Sequence, residues 1–249
     1  MRALLAAVAF LTRIPVPGAA SIGASDVARS AAWFPLVGLL LGSIYALAAV
    51  LLKTHLPAGI VAVVVVLLDA LCTGALHFDG LADTADGLGG GKNKEDVLRI
   101  MRDHAIGSYG GVALVLAIAF KITALAALMG QQHWITGLIL TPALGRWSML
   151  LLAANLPYAG TVATLPQRMG SVIDGMNGRS LLWGSVVVLL SLAAAGMLAR
   201  AWIALGAVSV TTLAFGLFCR KRLGGITGDI LGANLQLCEI AVLLAFVWS

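Results

Sequence analysis

The chain has 249 residues, 60% of them hydrophobic and 11% charged, with a net charge of +5 and a mean hydropathy of +1.00. Soluble domains carry about 25% charged residues, so a water-soluble globular protein is excluded. The expectation is an all-α, polytopic membrane helix bundle in one domain over residues 1–249.

In chain order, Ala3 to Leu11 is apolar but too short to span, and Arg13, Pro15 and Pro17 follow at once. A signal peptide shares these features; the reading adopted is a short interfacial or re-entrant helix. A hydrocarbon layer roughly 30 Å thick needs about 20 apolar residues of helix. Seven runs qualify: Trp33 to Leu52, Pro57 to Leu76, Tyr109 to Met129, Trp134 to Ala154, Leu181 to Ala199, Ala201 to Phe218 and Leu231 to Trp248. Only Arg200 separates the fifth from the sixth, which can also be read as one tight, bent hairpin.

With the N-terminus inside, twelve basic residues fall on the inner side: Arg2, Arg13, Arg29, Lys92, Lys94, Arg99, Arg102, Arg168, Arg179, Arg220, Lys221 and Arg222. Only Lys53 and Arg200 fall outside, while Lys121 and Arg146 lie within spans. This asymmetry predicts seven spans with the N-terminus in and the C-terminus out, and it accounts for the positive charge without nucleic acid. Cys72, Cys219 and Cys238 are odd in number and lack ligand spacing, so neither a disulfide framework nor a zinc site is suggested.

Of eleven acidic residues, six fall within 25 positions on the predicted inner side: Asp79, Asp83, Asp86, Glu95, Asp96 and Asp103. Asp79, Asp83 and Asp86 follow the spacing i, i+4, i+7, which places them in an arc of roughly 60° on one helical face. Like charges so arranged repel, and carboxylates without Cys or His partners suit a hard cation such as Mg²⁺. The competing reading is a solvated acidic helix end. Asn93 followed by Glu95 and Asp96 reads as a helix cap with acids in the first turn. Asp103 either pairs with Arg99 four residues earlier or stands at the membrane surface level with Asp79.

Glycine clusters flank this region. Gly87 to Asn93 fails the phosphate-loop pattern, since Asn93 follows Lys92 where Ser or Thr belongs. The second cluster, Leu223 to Ala233, brings Thr227 and Asp229 just ahead of the last span, where helix N-terminal amides can meet a phosphate; a flexible loop is the equal alternative. Charges inside spans default to functional hypotheses: Arg146 is the best anion ligand, with an Arg146 to Asp69 pair as competitor, and Glu239 lies in the last span. His77 and His104 flank the acids and are assigned no role.

The string from Gly74 to Gly87, GALHFDGLADTADG, resembles the signature of the bacterial cobalamin synthase (adenosylcobinamide-GDP ribazoletransferase) family. The likeness extends to Phe10 to Pro17, Phe34 to Gly38, Met101-Arg102-Asp103, Gly107 to Gly110 and Gly224 to Ala233, with residues 155 to 205 the weakest stretch. The resemblance implies a transferase of the bacterial inner membrane. It would join adenosylcobinamide-GDP to α-ribazole or its 5′-phosphate, release GMP and use Mg²⁺. On that reading Asp79, Asp83 and Asp86 are metal ligands, and Asp103 or Asp86 is catalytic, Asp103 as general base or further ligand. Arg13, Arg102 and Arg146, with Thr227 and Asp229, are substrate contacts.

Two alternatives stay open. In CDP-alcohol phosphotransferases the acidic pattern continues with Ala-Arg and a further Gly; here Asp83, Asp86 and Gly87 match its opening, but Gly90 and Gly91 replace Ala-Arg and Ile100 replaces that Gly. A cation transporter would place its acids near the midplane, often with repeat symmetry. Gly38 with Gly42 and Gly228 with Gly232 allow close helix approach within one chain or between copies, so a homo-oligomer is possible.

Overall fold

The computed structural model describes residues 2–103, 105–160, 172–173, 175–196 and 198–248. Arg168, His104 and Ser249, which entered the loop count, the acidic region and the expected outer end, lie outside them.

The described residues form eleven α-helices. The first is the expected short one, α1 (Arg2–Leu11), followed by α2 (Ala24–Ser30) and a 3-10 turn, Ala31–Trp33. Pro35 sits in the first turn of α3 (Phe34–Lys53), where its missing N–H has no intrahelical partner to lose. Pro57 precedes α4 (Ala58–Thr73). Gly74 at φ 64° and Ala75 at φ 58° end it in two successive left-handed residues, and α5 (Leu76–Gly90) leaves at 90°. In α6 (Lys94–Ile100) the Asn93 carboxamide accepts from Asp96 N at 2.9 Å, the expected cap. The remaining helices are α7 (Ser108–Leu128), α8 (Trp134–Asn155), α9 (Gly178–Ala194), α10 (Leu198–Leu223) and α11 (Gly228–Val247).

Among the described residues five helices are long and apolar enough to cross a membrane, six if the bent pair α4 and α5 counts as one span. The expected seven is not reached. Every apolar run is helical, but α4 stops after 16 residues and α9 has 17, about 24 and 26 Å of rise against a layer of roughly 30 Å. The fifth and sixth runs are two helices, turned at Gly196 with φ 62°.

Helices α8 and α11 are buried on nearly all sides and form the centre of the bundle. Helix α3 lies along α8, and a side chain added at Gly38 or Gly42 would strike the backbone of Pro142 or Ile139. These glycines therefore serve packing inside one chain. Helix α11 packs against α5 in the same way, with Gly80 against the Asp229 backbone and Gly232 against His77.

Hydrogen bonds gather the helix ends into two groups. At one end Asp86 meets the start of α7, Ile226 pairs with Pro157 and Ala159 after α8, and Arg222 of α10 donates to Gly91 O at 2.9 Å. At the other, Lys53 donates to Met129 O and Arg200 to Phe246 O.

Candidate active site

The left-handed pair Gly74-Ala75 aims α5 so that Asp79 stands exposed on the wall of a cavity of about 400 Å³, shared with Phe10, Thr12 and Arg13. Arg13 is fixed from behind: its backbone N–H donates to Cys72 O at 2.6 Å. A Cβ at Gly74 would strike the Arg13 side chain, so glycine supplies both the positive φ and the space. The structure thus brings together Arg13 and Asp79, sixty-six residues apart.

Asp83 lies one turn further along α5, half-buried. Asp86 departs from the expected triad. Its angle on the helix is the expected one, but seven residues span about 10 Å of rise, and at that distance it meets α7. Gly107 N donates to Oδ2 and Gly110 N to Oδ1, both at 2.8 Å. A buried carboxylate here satisfies orphan amides of a helix N-terminus and suits its dipole. Asp86 thus meets the amides at the start of α7, apart from the exposed Asp79.

Among the described residues no three His, Cys, Asp or Glu side chains converge to hold a metal ion. The donors offered are two carboxylates on α5 and, on α11, half-buried Asp229, close enough to Asp79 for the two charges to interact. Mg²⁺ keeps several waters and takes one or two carboxylates plus substrate phosphates, so this all-oxygen set fits it.

Thr227 caps α11, its hydroxyl accepting from Ile230 N at 3.3 Å, and lies close enough to the Asp229 carboxylate to influence it. This start is held by the chain after α8. Ile226 N donates to Pro157 O at 2.9 Å and Ala159 N to Ile226 O at 2.8 Å, with Gly225 pressed so closely on Pro157 that no side chain fits. The pairing brings in Tyr158, a residue the sequence reading missed. Burial pushes its hydroxyl up, the Asp229 carboxylate adds to this, and the Arg102 guanidinium opposes it. Tyr158 is therefore an un-ionised donor at neutral pH, within electrostatic range of Asp229 and Arg102. Its only sequence signal was a polar aromatic beside Pro157, within the stretch that least resembles the family.

Asp103 is exposed, its Oδ1 accepting from Ala105 N at 3.2 Å. The expected alternative partner, Arg99, bonds Asp96 instead at 2.6 Å. That hydrogen bond first, and the Lys92 N–H second, hold Asp96 below the usual carboxylate range. Arg222, read from sequence only as a topological charge, ties the end of α5 to α10 through Leu88 O and Gly91 O.

Arg146 is not on this cavity. It is fully buried in α8, donating to Pro142 O at 3.1 Å and paired with Glu239 at 3.4 Å. Asp69 pairs with Lys121 at 3.0 Å, not with Arg146, and accepts from Tyr45. Lys121 also reaches Glu239 at 2.5 Å and Gln236 at 2.9 Å. Arg146 is thus placed in a buried charge cluster with Glu239, apart from the Arg13 to Asp79 cavity. Two cations against two carboxylates leave no uncompensated negative site in this cluster for a transported ion.

The model of the family described as cobalamin-5-phosphate synthase matches residues 3–247. Curated relatives named adenosylcobinamide-GDP ribazoletransferase include one from Rhizobium etli, 40% identical with 96% of this chain and 94% of that protein covered. Another, from Syntrophobacter fumaroxidans, is 38% identical over 96% and 95%, and one from Ralstonia nicotianae is 37% identical over 100% and 96%. No solved structure matches the chain. With an all-helical membrane bundle, the GALHFDGLADTADG segment on α5 and a family match from end to end, this chain belongs to the cobalamin-5-phosphate synthase family.

Proposed function

We propose that the chain joins adenosylcobinamide-GDP to α-ribazole or its 5′-phosphate, giving adenosylcobalamin or its 5′-phosphate and GMP, at the cytoplasmic face of a bacterial inner membrane. The observation that carries this reading is the cavity between Arg13 and Asp79, beside the one-turn pair Asp79 and Asp83, in a chain similar over nearly all its length to proteins named for that transfer.

In the reaction a ribose hydroxyl oxygen bonds to the phosphorus that stays with the cobinamide. The bond from that phosphorus to the GMP oxygen breaks, and the hydroxyl proton passes to a base. Phosphoryl transfer asks a protein mainly for positioning and charge neutralisation. Arg13 and Arg102 take the diphosphate, while Tyr158, Thr227 and Asp229 border the acceptor. Asp103 receives the proton. Asp79 and Asp83 would hold Mg²⁺, which supplies neutralisation of the phosphate charge. Asp86 holds the start of α7, and with it the approach to Asp103.

Mass spectrometry of membranes given adenosylcobinamide-GDP, α-ribazole and Mg²⁺ is expected to detect adenosylcobalamin and GMP, and EDTA to stop their formation. Product from a CDP-linked donor alone would move the chain to the CDP-alcohol phosphotransferases. Turnover that survives full chelation would remove the metal.

A further inference from the structure

On the side of the bundle formed by α8 and α10 lies a second cavity, of about 460 Å³, lined by Trp147, Leu152 and Asn155 of α8 and by Ser209, Leu213 and Arg220 of α10. Among the described residues no acidic side chain lines it. Helices α9 and α10 are consecutive, yet each packs mainly on α8 or α11 and touches the other little. Leu213 and Leu217 stand 63% and 57% exposed, so the groove opens sideways toward the bilayer.

Its dimensions and charge define an occupant. From Ser209 to Arg220 is about 16 Å of helix rise, half of a hydrocarbon layer of roughly 30 Å and so the depth of one leaflet. Arg220 is exposed in the last turn of α10 beside Lys221 and Arg222, at the end of the bundle that carries Asp79 and Asp229. We infer that the α8–α10 groove binds one anionic glycerophospholipid, an acyl chain lying along Leu152 and Leu213 and the headgroup phosphate on Arg220. Basic pockets between spans at a membrane face have the chemistry to hold such headgroups. A zwitterionic lipid would fill the same apolar wall but leave Arg220 without a net negative partner. This site is separate from the Arg13 to Asp79 cavity.

The test is native mass spectrometry of the full chain in detergent, titrated with phosphatidylglycerol or with phosphatidylcholine of the same acyl chains. Phosphatidylglycerol is expected to be retained more strongly. Arg220→Gln, at an exposed position that leaves packing intact, is expected to reduce that retention about five-fold and to lower phosphatidylcholine retention less, because the choline charge already offsets its phosphate. Ser209→Phe, which fills the inner part of the groove, is expected to weaken both. Equal retention of the two lipids overturns the inference, as does an Arg220→Gln protein with undiminished preference. A dimer that forms with no lipid retained would also overturn it, by assigning the groove to a second copy.

Discussion

Three aspartates on one helix face divide into two kinds of work. Asp86 accepts from two backbone amides of α7, and hydrogen bonds to a charged group are worth about 1.5–3 kcal/mol each. Asp86→Ala is therefore expected to lower thermal stability, whereas Asp79→Ala and Asp83→Ala remove most turnover with little change in melting. Melting curves beside turnover per folded molecule check this; near-normal turnover in both of the latter variants removes the metal proposal. For Asp103, a positioned base contributes about 10²- to 10⁴-fold, so Asp103→Asn should lower kcat on that scale with KM largely kept. Arg99→Ala should not, because its partner is Asp96. The folded value of Asp96 lies below the unfolded one, so its contribution is present above the ordinary carboxylate range and fades as pH falls through the folded value. Stability of Arg99→Ala and the parent should accordingly converge in acid. If Arg99→Ala matches Asp103→Asn in lost turnover, Asp103 is not the base.

At the scale of elements, the break between α4 and α5 decides where the carboxylates point. Gly74→Val would strain a φ of 64° and push into Arg13, so KM is expected to rise more than kcat falls. Ala75→Gly relieves a left-handed alanine and is expected to be neutral or stabilising. Steady-state kinetics on both variants check this, and an unchanged KM in Gly74→Val would detach Arg13 from substrate binding. This break also marks what could be read in advance. The apolar runs, the acid face and the Asn93 cap rest on periodicity and local chemistry, which a sequence displays directly. Hydropathy continues unbroken through Leu76, however, so nothing in it marks a 90° turn two residues earlier. Asp86 as a cap depends on amides 21 and 24 residues away, and Tyr158 on a backbone pairing with Ile226 across the two helices α9 and α10. The Arg146 to Glu239 pair was hidden for the same reason: a buried paired arginine and an anion ligand look alike in sequence until Glu239 is placed beside it.

For the whole molecule, the helix ends fall into two groups, and the proposed orientation puts a reporter after Arg102 or Arg222 in the cytoplasm and one at Ser249 outside. Finding both ends on one side would change the span count. The cluster of Asp69, Lys121, Arg146 and Glu239 joins α4, α7, α8 and α11. Removing one partner of a buried pair costs about 3–5 kcal/mol, so Lys121→Met should reduce accumulation in membranes, and adding Glu239→Gln should restore part of it. Quantitative blotting of membrane fractions checks both. The same cluster sets a timetable for biogenesis. Lys121 and Arg146 leave the ribosome with only Asp69 to balance them, and Glu239 arrives more than ninety residues after Arg146. Until then the half-made bundle carries a surplus cation that hydrocarbon does not tolerate. The nascent helices must therefore stay sheltered beside the insertion machinery until the final span docks, and a chain cut short before Gly228 would expose that surplus charge as a mark of incompleteness for membrane proteolysis.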